Sequence, residues 1–578
     1  MTTESPEPGP RPRKYFDASI TGDKWRPINK LMKQEFKATI ETPDQLLQFI
    51  EKYSELYDAV EDKTMLKTAA FLCKQNAINT LRLLGFGLNV TLPAYLARKK
   101  VYKFINSHTQ FQNLPFEFEH LKKLVMKESR TKTSMLKAAN EYLKVLAYQN
   151  KLSGTRVQFE SKKLSIPRMI AIMYDPDRDK RERAWRALYQ KIAKQGPKYD
   201  KMYDGLRRLR TKMAKLNGYD NCRDYYHYQV KGRFDYTPED CFKLHDAVEA
   251  TFLPFIKELN DMRKDALQLD TVRPWDTKVG IDSKLLKPYA TNAELVDKMI
   301  NVFKVIKPEY GKTLAYMKAN GFIDPDNRKG KVSGAMSMFL PEHHCGYIIA
   351  NAVGIQYDVE TLAHEGGHSM HSSRIDVPYA MYSEAMLFPM EIAEVASMTM
   401  ELFLQDHLQE FYTDVADIKR ARLEDLERSV RSMPWFMIID AFQHWIYVTK
   451  PDHAPRERTD FFKSLVDRFE TSTGIDYSGL DVEASAMWYR QTHVFQSPFY
   501  YIEYAIAQLA AYGIYKNYRE RGHEAIDQYD AFLHEGYSKS LPELFDIAGV
   551  KFDFSKDYIQ GLVDFLRDEF KSIANENT

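Results

Sequence analysis

The chain has 578 residues, enough for more than one hydrophobic core, so two lobes or subdomains are expected. Its 82 basic and 80 acidic side chains leave a net charge of +2, which argues against an extended nucleic-acid footprint. Four scattered cysteines, Cys73, Cys222, Cys241 and Cys345, have no Cys-x-x-Cys spacing and suggest reduced thiols in a reducing compartment.

Taken in chain order, residues 1–14 are polar and proline-rich without an apolar segment. They read as a disordered tail rather than a secretory signal. No run of about 18 apolar residues occurs, so no membrane span is expected, and cytoplasm is the default compartment. From Thr42 the pattern becomes helical. Thr42 is a candidate N-cap with Pro43 at the first position, and Leu46, Leu47, Ile50, Tyr53, Leu56, Tyr57 and Val60 form one apolar stripe. Thr237 and Pro238 repeat the same start signal. Residues 15–170 give only an amphipathic helical lobe. The helical pattern breaks over residues 331–354, where a glycine, a strand-like run and a turn follow one another. His343 and His344 lie in this stretch, but adjacent residues point in different directions and lack the spacing to share an ion, so they read as loop or substrate-side residues.

Residues 362–371 read LAHEGGHSMH and contain His-Glu-x-x-His on an expected helix. Side chains four apart lie on one helical face, so His364 and His368 are spaced to give one ring nitrogen each to a single ion, at about 2.0–2.1 Å for zinc. Glu365 projects beside them and can activate water without occupying the ion. Asp358 is the candidate N-cap of this helix. Gly366 and Gly367 each disfavour a helix interior by about 1 kcal/mol, so their presence implies a close-packed backbone or room for substrate. His371, one turn beyond His368, is a candidate for the rim of the site.

A catalytic zinc needs three protein ligands and an open position. The next helical stretch, PMEIAEVASMTMELF at 389–403, is small and apolar, and carboxylates there are expensive unless paired or metal-bound. Glu391 and Glu394 are one turn apart and both are candidates; Glu401, near the far end of the helix, is the weakest. Near the C-terminus, WYRQTHVFQSPFYYIEYAIAQLAAY at 488–512 places His493 in a loop before a helix signalled by Ser497-Pro498. Tyr501 and Tyr504 then share one face, with Tyr500 competing for the place of Tyr501.

DVETLAHEGGHSMHS followed by EIAEVASMTMELF resembles the zinc oligopeptidases of the thimet oligopeptidase and oligoendopeptidase F group. The resemblance extends over roughly residues 170–560. It implies one zinc ion held by His364, His368 and Glu394, with Glu365 as general base. It also implies that His493, Tyr501 and Tyr504 contact the substrate carbonyl and the tetrahedral intermediate. It further implies a mainly α fold: two helical lobes flanking a deep substrate channel, with a small β-sheet near the zinc that pairs with a bound peptide at about Gly334 and Ala335. Residues 171–578 would form the catalytic domain. Gly366 departs from the family pattern, where a bulkier residue is usual. The expected partners are oligopeptides, with neither nucleic acid nor membrane.

Two rival functions share these features. One is a dipeptidyl carboxypeptidase or carboxypeptidase with the same zinc motif, for which Arg490 is a candidate anchor for a terminal carboxylate. The other is a non-catalytic helical peptide-binding protein, against which an intact Glu365 argues.

Overall fold

The computed structural model describes residues 9–10, 12–132, 135–280, 285–378 and 389–576. Most of the tail expected over 1–14 lies outside them. Of its described residues, Arg13 donates from Nε to Glu342 at 3.0 Å, and the Lys14 N–H reaches Glu55 at 2.8 Å.

Helix α1 (Pro43–Cys73) begins where its sequence signal lies. Thr42 accepts the Gln45 N–H at 3.2 Å, and the Gln45 side chain returns to the Thr42 N–H at 3.1 Å. Leu46, Ile50, Tyr53, Leu56 and Val60 are buried along its stripe. A hairpin of β1 (Arg156–Phe159) and β2 (Lys162–Ser165) follows. Helix α2 (Pro238–Ala266) is capped by Thr237 with Asp240 in the reciprocal role.

A three-stranded sheet has the order β3 (Ile323–Asp326), β5 (Cys345–Ala352), β4 (Met336–Leu340). β5 is central, parallel to β3 and antiparallel to β4, with Ser337 opposite Ile348. Among the described residues no strand pairs with the outer edge of β4. Helix α3 (Gln356–Arg374) packs on β5 and against α4 (Met390–Phe403). α5 (Val415–His444) and α6 (Tyr501–Arg521) complete the frame, with α4 on α6 and α5 on both α2 and α6. Fully buried Ile392, Val395 and Ala396 make α4 an interior helix, each large side chain contributing about 1.5–3 kcal/mol of burial.

Two large apolar cores result, with a small third cluster of Ala69, Phe71, Leu72, Cys73, Val332 and Ile349 between α1 and the sheet. One lies among N-terminal helices, from Ile28 to Val125, and the larger runs from Leu124 to Ile573. Tyr148, Leu152 and Met169 belong to the larger core, because the hairpin and its flanking helices pack on the long helix Arg178–Leu216. No helix among the described residues is long and apolar enough to cross a membrane.

Candidate metal centre

α3 starts at Gln356, with Ile355 rather than Asp358 at the N-cap. Asp358 sits three positions in, and its Oδ2 accepts the N–H groups of Val353, Gly354 and Ile355 at 2.7–2.9 Å. A carboxylate reaching back satisfies the same open donors as a cap, so sequence alone did not separate the two positions. The following turns present His364 and His368, their rings perpendicular and 4.9 Å apart between centroids.

Gly367 explains how a neighbouring helix gets so close. A Cβ there would lie 2.6 Å from both the Ala396 carbonyl oxygen and the Ser397 Cα, so α4 rests directly on the α3 backbone. At Gly366 a Cβ would meet the Phe303 ring at 2.5 Å; the space left by the missing side chain holds a core phenyl group rather than substrate.

That close approach brings Glu394 to the histidines. Its Oε2 lies 3.2 Å from His364 Nε2 and 3.5 Å from His368 Nε2, and all three ligand atoms fall within 4.8 Å of one another. Burial pushes the Glu394 carboxyl up, but His368 and His364 outweigh it and hold it at about 2. Burial lowers His368 to about 4, leaving a neutral imidazole whose ring donates to the Ala393 carbonyl. His364 shares its Nδ1 proton with Glu401 at 2.5 Å, which directs Nε2 toward the centre.

Glu365 lies alongside. One of its oxygens, Oε2, is buried without a hydrogen-bond partner among the described residues, while the Ser337 N–H of β4 serves the carboxylate. Burial is the main reason its pKa rises to about 8. The donor set, two imidazoles and one carboxylate with an orphaned carboxylate oxygen beside them, fits a zinc ion with an open position.

Residues 171–564 match the model of peptidase family M3. The chain belongs to that family. It is 28% identical over 308 residues to an oligoendopeptidase F homolog of Borreliella burgdorferi, covering 52% of this chain and 50% of that one. It is also 28% identical over 305 residues to oligopeptidase PepF of Bacillus subtilis, covering 52% and 44%. The chain thus spans about half the length of these curated relatives. Its fold matches the solved structure of PZ peptidase A with inhibitor 2, at a TM-score of 0.86 and 22% identity over 94% of this chain and 96% of that one. The mainly α, two-lobed architecture with a small sheet by the metal centre is therefore that of this peptidase group.

The M3 chain differs from its sequence reading at several positions around the centre. Ser497-Pro498 does not start α6; Ser497 caps the short helix Thr492–Gln496, which carries His493, and α6 begins at Tyr501 after Phe499 turns through a φ of 59°. Tyr500 thereby reaches the centre and donates to Glu394 Oε1 at 2.6 Å. Tyr504 stands 3.5 Å from His493 Nε2, and both line the cleft. Tyr501 also lines it, but its hydroxyl accepts the side-chain amide of Gln491. His343 pairs with Asp62 at 2.9 Å, away from the ligands, and His371 is fully buried against Phe532.

The two spare carboxylates exchange the places expected of them. Glu391 contacts neither His364 nor His368; it is fully buried, accepts from the Tyr236 hydroxyl and lies 3.4 Å from Arg233. Glu401, the weakest candidate by sequence, is the partner of His364. Its spacing of seven from Glu394 puts it two turns along the same face, a signal that was available.

The cleft above these residues has a volume of about 670 Å³. Its walls include Gln149 and Ile170 on one side, β4 with Gly334 and Ala335 before it on another, and Arg490 near His493.

Proposed function

We propose that this chain is a zinc-dependent metalloendopeptidase that hydrolyses short peptides. The observation that carries the reading is the orphaned Glu365 oxygen beside three converging ligand atoms at the base of a peptide-sized cleft. His364, His368 and Glu394 would hold the ion, which when bound supplies Lewis-acid activation of water and of the scissile carbonyl near neutral pH.

The remaining chemistry belongs to the chain. A peptide lies along the open edge of β4 as an added strand, with Gly334 and Ala335 leaving the backbone accessible. Glu365 takes a proton from the attacking water as the new C–O bond forms, and returns it to the departing amine nitrogen as the tetrahedral intermediate collapses and the C–N bond breaks. Tyr504 keeps its proton, because burial raises its phenol well above the usual value, and it donates to the developing oxyanion. His493, lowered to about 4 by burial, is a neutral second donor. Tyr501 stands behind them in the wall. The four buried, unpaired cysteines suit a reducing compartment, and we place the enzyme in the cytoplasm.

A carboxypeptidase reading is favoured by one observation, the Arg490 side chain in the same cleft. Digestion of two peptide libraries by the zinc-loaded protein, read by mass spectrometry, separates the readings. Internal cuts in peptides blocked at both ends are expected. Cleavage confined to free C-termini would favour the carboxypeptidase, and an uncut library would leave a binding protein.

A further inference from the structure

A second cluster of metal-ligating side chains lies in the large core, apart from the residues assigned to peptide hydrolysis. Helix α2 contributes Cys241 and His245, and α5 contributes Asp440 and His444, each pair four residues apart and so on one helical face. The two helices pack together, and all four residues are at least 95% buried. His245 Nε2 lies 2.9 Å and His444 Nε2 3.2 Å from one and the same oxygen, Asp440 Oδ2. The Cys241, Asp440 and His444 ligand atoms fall within 4.8 Å of one another; His245 lies outside that group and joins it through Asp440 Oδ2.

A plain hydrogen-bond cluster accounts poorly for this arrangement. Two imidazoles serving a buried carboxylate would each take their own oxygen, since an unsatisfied buried acceptor costs about 1–3 kcal/mol. Here both converge on Oδ2, while Asp440 Oδ1 and His444 Nδ1 have no hydrogen-bond partner among the described residues. Four ligands around a tetrahedral ion with bonds of about 2.0–2.3 Å stand roughly 3.3–3.7 Å apart. The nitrogen–oxygen separations here approach that range and resemble the 3.2 and 3.5 Å at the first centre.

We propose that Cys241, Asp440 and His444, joined by His245 once its ring turns from Asp440 to the ion, form a second, buried zinc site that fastens α2 to α5. The Cys241 sulfur now lies 3.5 Å from the Thr237 carbonyl oxygen, the position of a thiol donating within its own helix. On metal binding the thiol loses its proton to solvent and the sulfur leaves that carbonyl for the ion. One thiolate, one carboxylate and two neutral imidazoles then balance a divalent cation, and no net charge stays in the core. The rings of Phe242 and Phe499 pack 4.6 and 5.5 Å from that of His444, and the burial of all four side chains keeps the site from water. With four protein ligands it has no open position and is structural.

The test uses the full-length protein. Elemental analysis should find two zinc ions per chain. Protein expressed with cobalt(II) in place of zinc should show thiolate-to-cobalt charge-transfer absorption in the near ultraviolet, which the sulfur-free first centre cannot produce. That absorption should survive Glu394→Ala and disappear in Cys241→Ser, which should lose one metal equivalent while still hydrolysing peptides. A single metal per chain without this absorption, or absorption that persists in Cys241→Ser, would overturn the proposal.

Discussion

Replacing Glu401 tests whether the carboxylate behind His364 sets the metal affinity. It accepts the Nδ1 proton at 2.5 Å, fixing the ring's tautomer and making Nε2 a better donor to the ion. Loss of such a partner typically weakens metal binding 10–100-fold, or about 1.4–2.7 kcal/mol. The Glu401 side chain is 26% exposed, so water replaces part of the lost contact and Glu401→Ala should fall in the lower half of that range. Glu401→Gln keeps an acceptor but not the charge, and a neutral bond is about half as strong, so it should retain more affinity than Ala. Competition against a chelating indicator gives the zinc Kd, and activity measured at saturating zinc separates affinity from chemistry. Glu391→Ala is the comparison, since that carboxylate touches neither histidine and its loss should act on stability. Unchanged zinc affinity in Glu401→Ala, or a larger loss in Glu391→Ala, would refute the assignment.

Glu365→Gln should keep its zinc while peptide hydrolysis drops by at least about 10²–10⁴-fold, read as metal content beside single-turnover rates. Tyr504→Phe should reduce kcat about 10²–10³-fold with little change in KM, whereas Tyr501→Phe, losing a contact to Gln491, should have a much smaller effect. Gly367→Ala drives a Cβ into the α4 backbone; overpacking of about 1–3 kcal/mol outweighs roughly 1 kcal/mol of helix propensity, so thermal melting should show a lower Tm. Burial raises the Glu427 carboxyl, but Arg263 and Arg431, each 2.6 Å away, outweigh it and hold the pKa at about 2, below its unfolded value of 4.5. This depressed group stabilises the fold above pH 4.5 by about 3 kcal/mol, and that contribution is lost as pH falls toward 2. Denaturation curves of the wild type and Glu427→Gln should therefore converge over that window, and a constant gap would contradict the pairing.

Local rules made much of the fold legible. Thr42-Pro43 and Thr237-Pro238 mark helix starts because the cap, the proline and the returning side chain all act within one turn. The two histidines and Glu365 were legible for the same reason, since helical spacing alone puts them together. Pairings between helices were not. Whether Glu391, Glu394 or Glu401 faces the histidines depends on the rotation of α4 against α3, which the missing Cβ of Gly367 sets. Ser497-Pro498 misled because the chain turns again at Phe499, in a left-handed conformation no sequence pattern announced.

That turn shows how the core serves the metal centre. A non-glycine residue at positive φ carries strain of about 1–3 kcal/mol and persists only where its surroundings hold it. Phe499 is held at both polar groups: its N–H reaches the Gln443 side-chain oxygen at 2.6 Å, and its carbonyl accepts from Arg233. Arg233 also lies 2.6 Å from Glu503 and 3.4 Å from Glu391, and Lys231 meets Glu503 at 2.8 Å. Two cations and two carboxylates are thus buried together with opposite charges balanced, which spares the core an isolated ion. Glu391 fixes this cluster to α4 and Glu503 fixes it to α6, so the helix bearing Glu394 and the helix beginning at Tyr501 share one electrostatic anchor. The strained peptide between them can then place Tyr500 on the Glu394 oxygen that faces away from the histidines. Glu391, which helical spacing alone left level with Glu394 as a candidate, serves instead to hold the helix that carries Glu394.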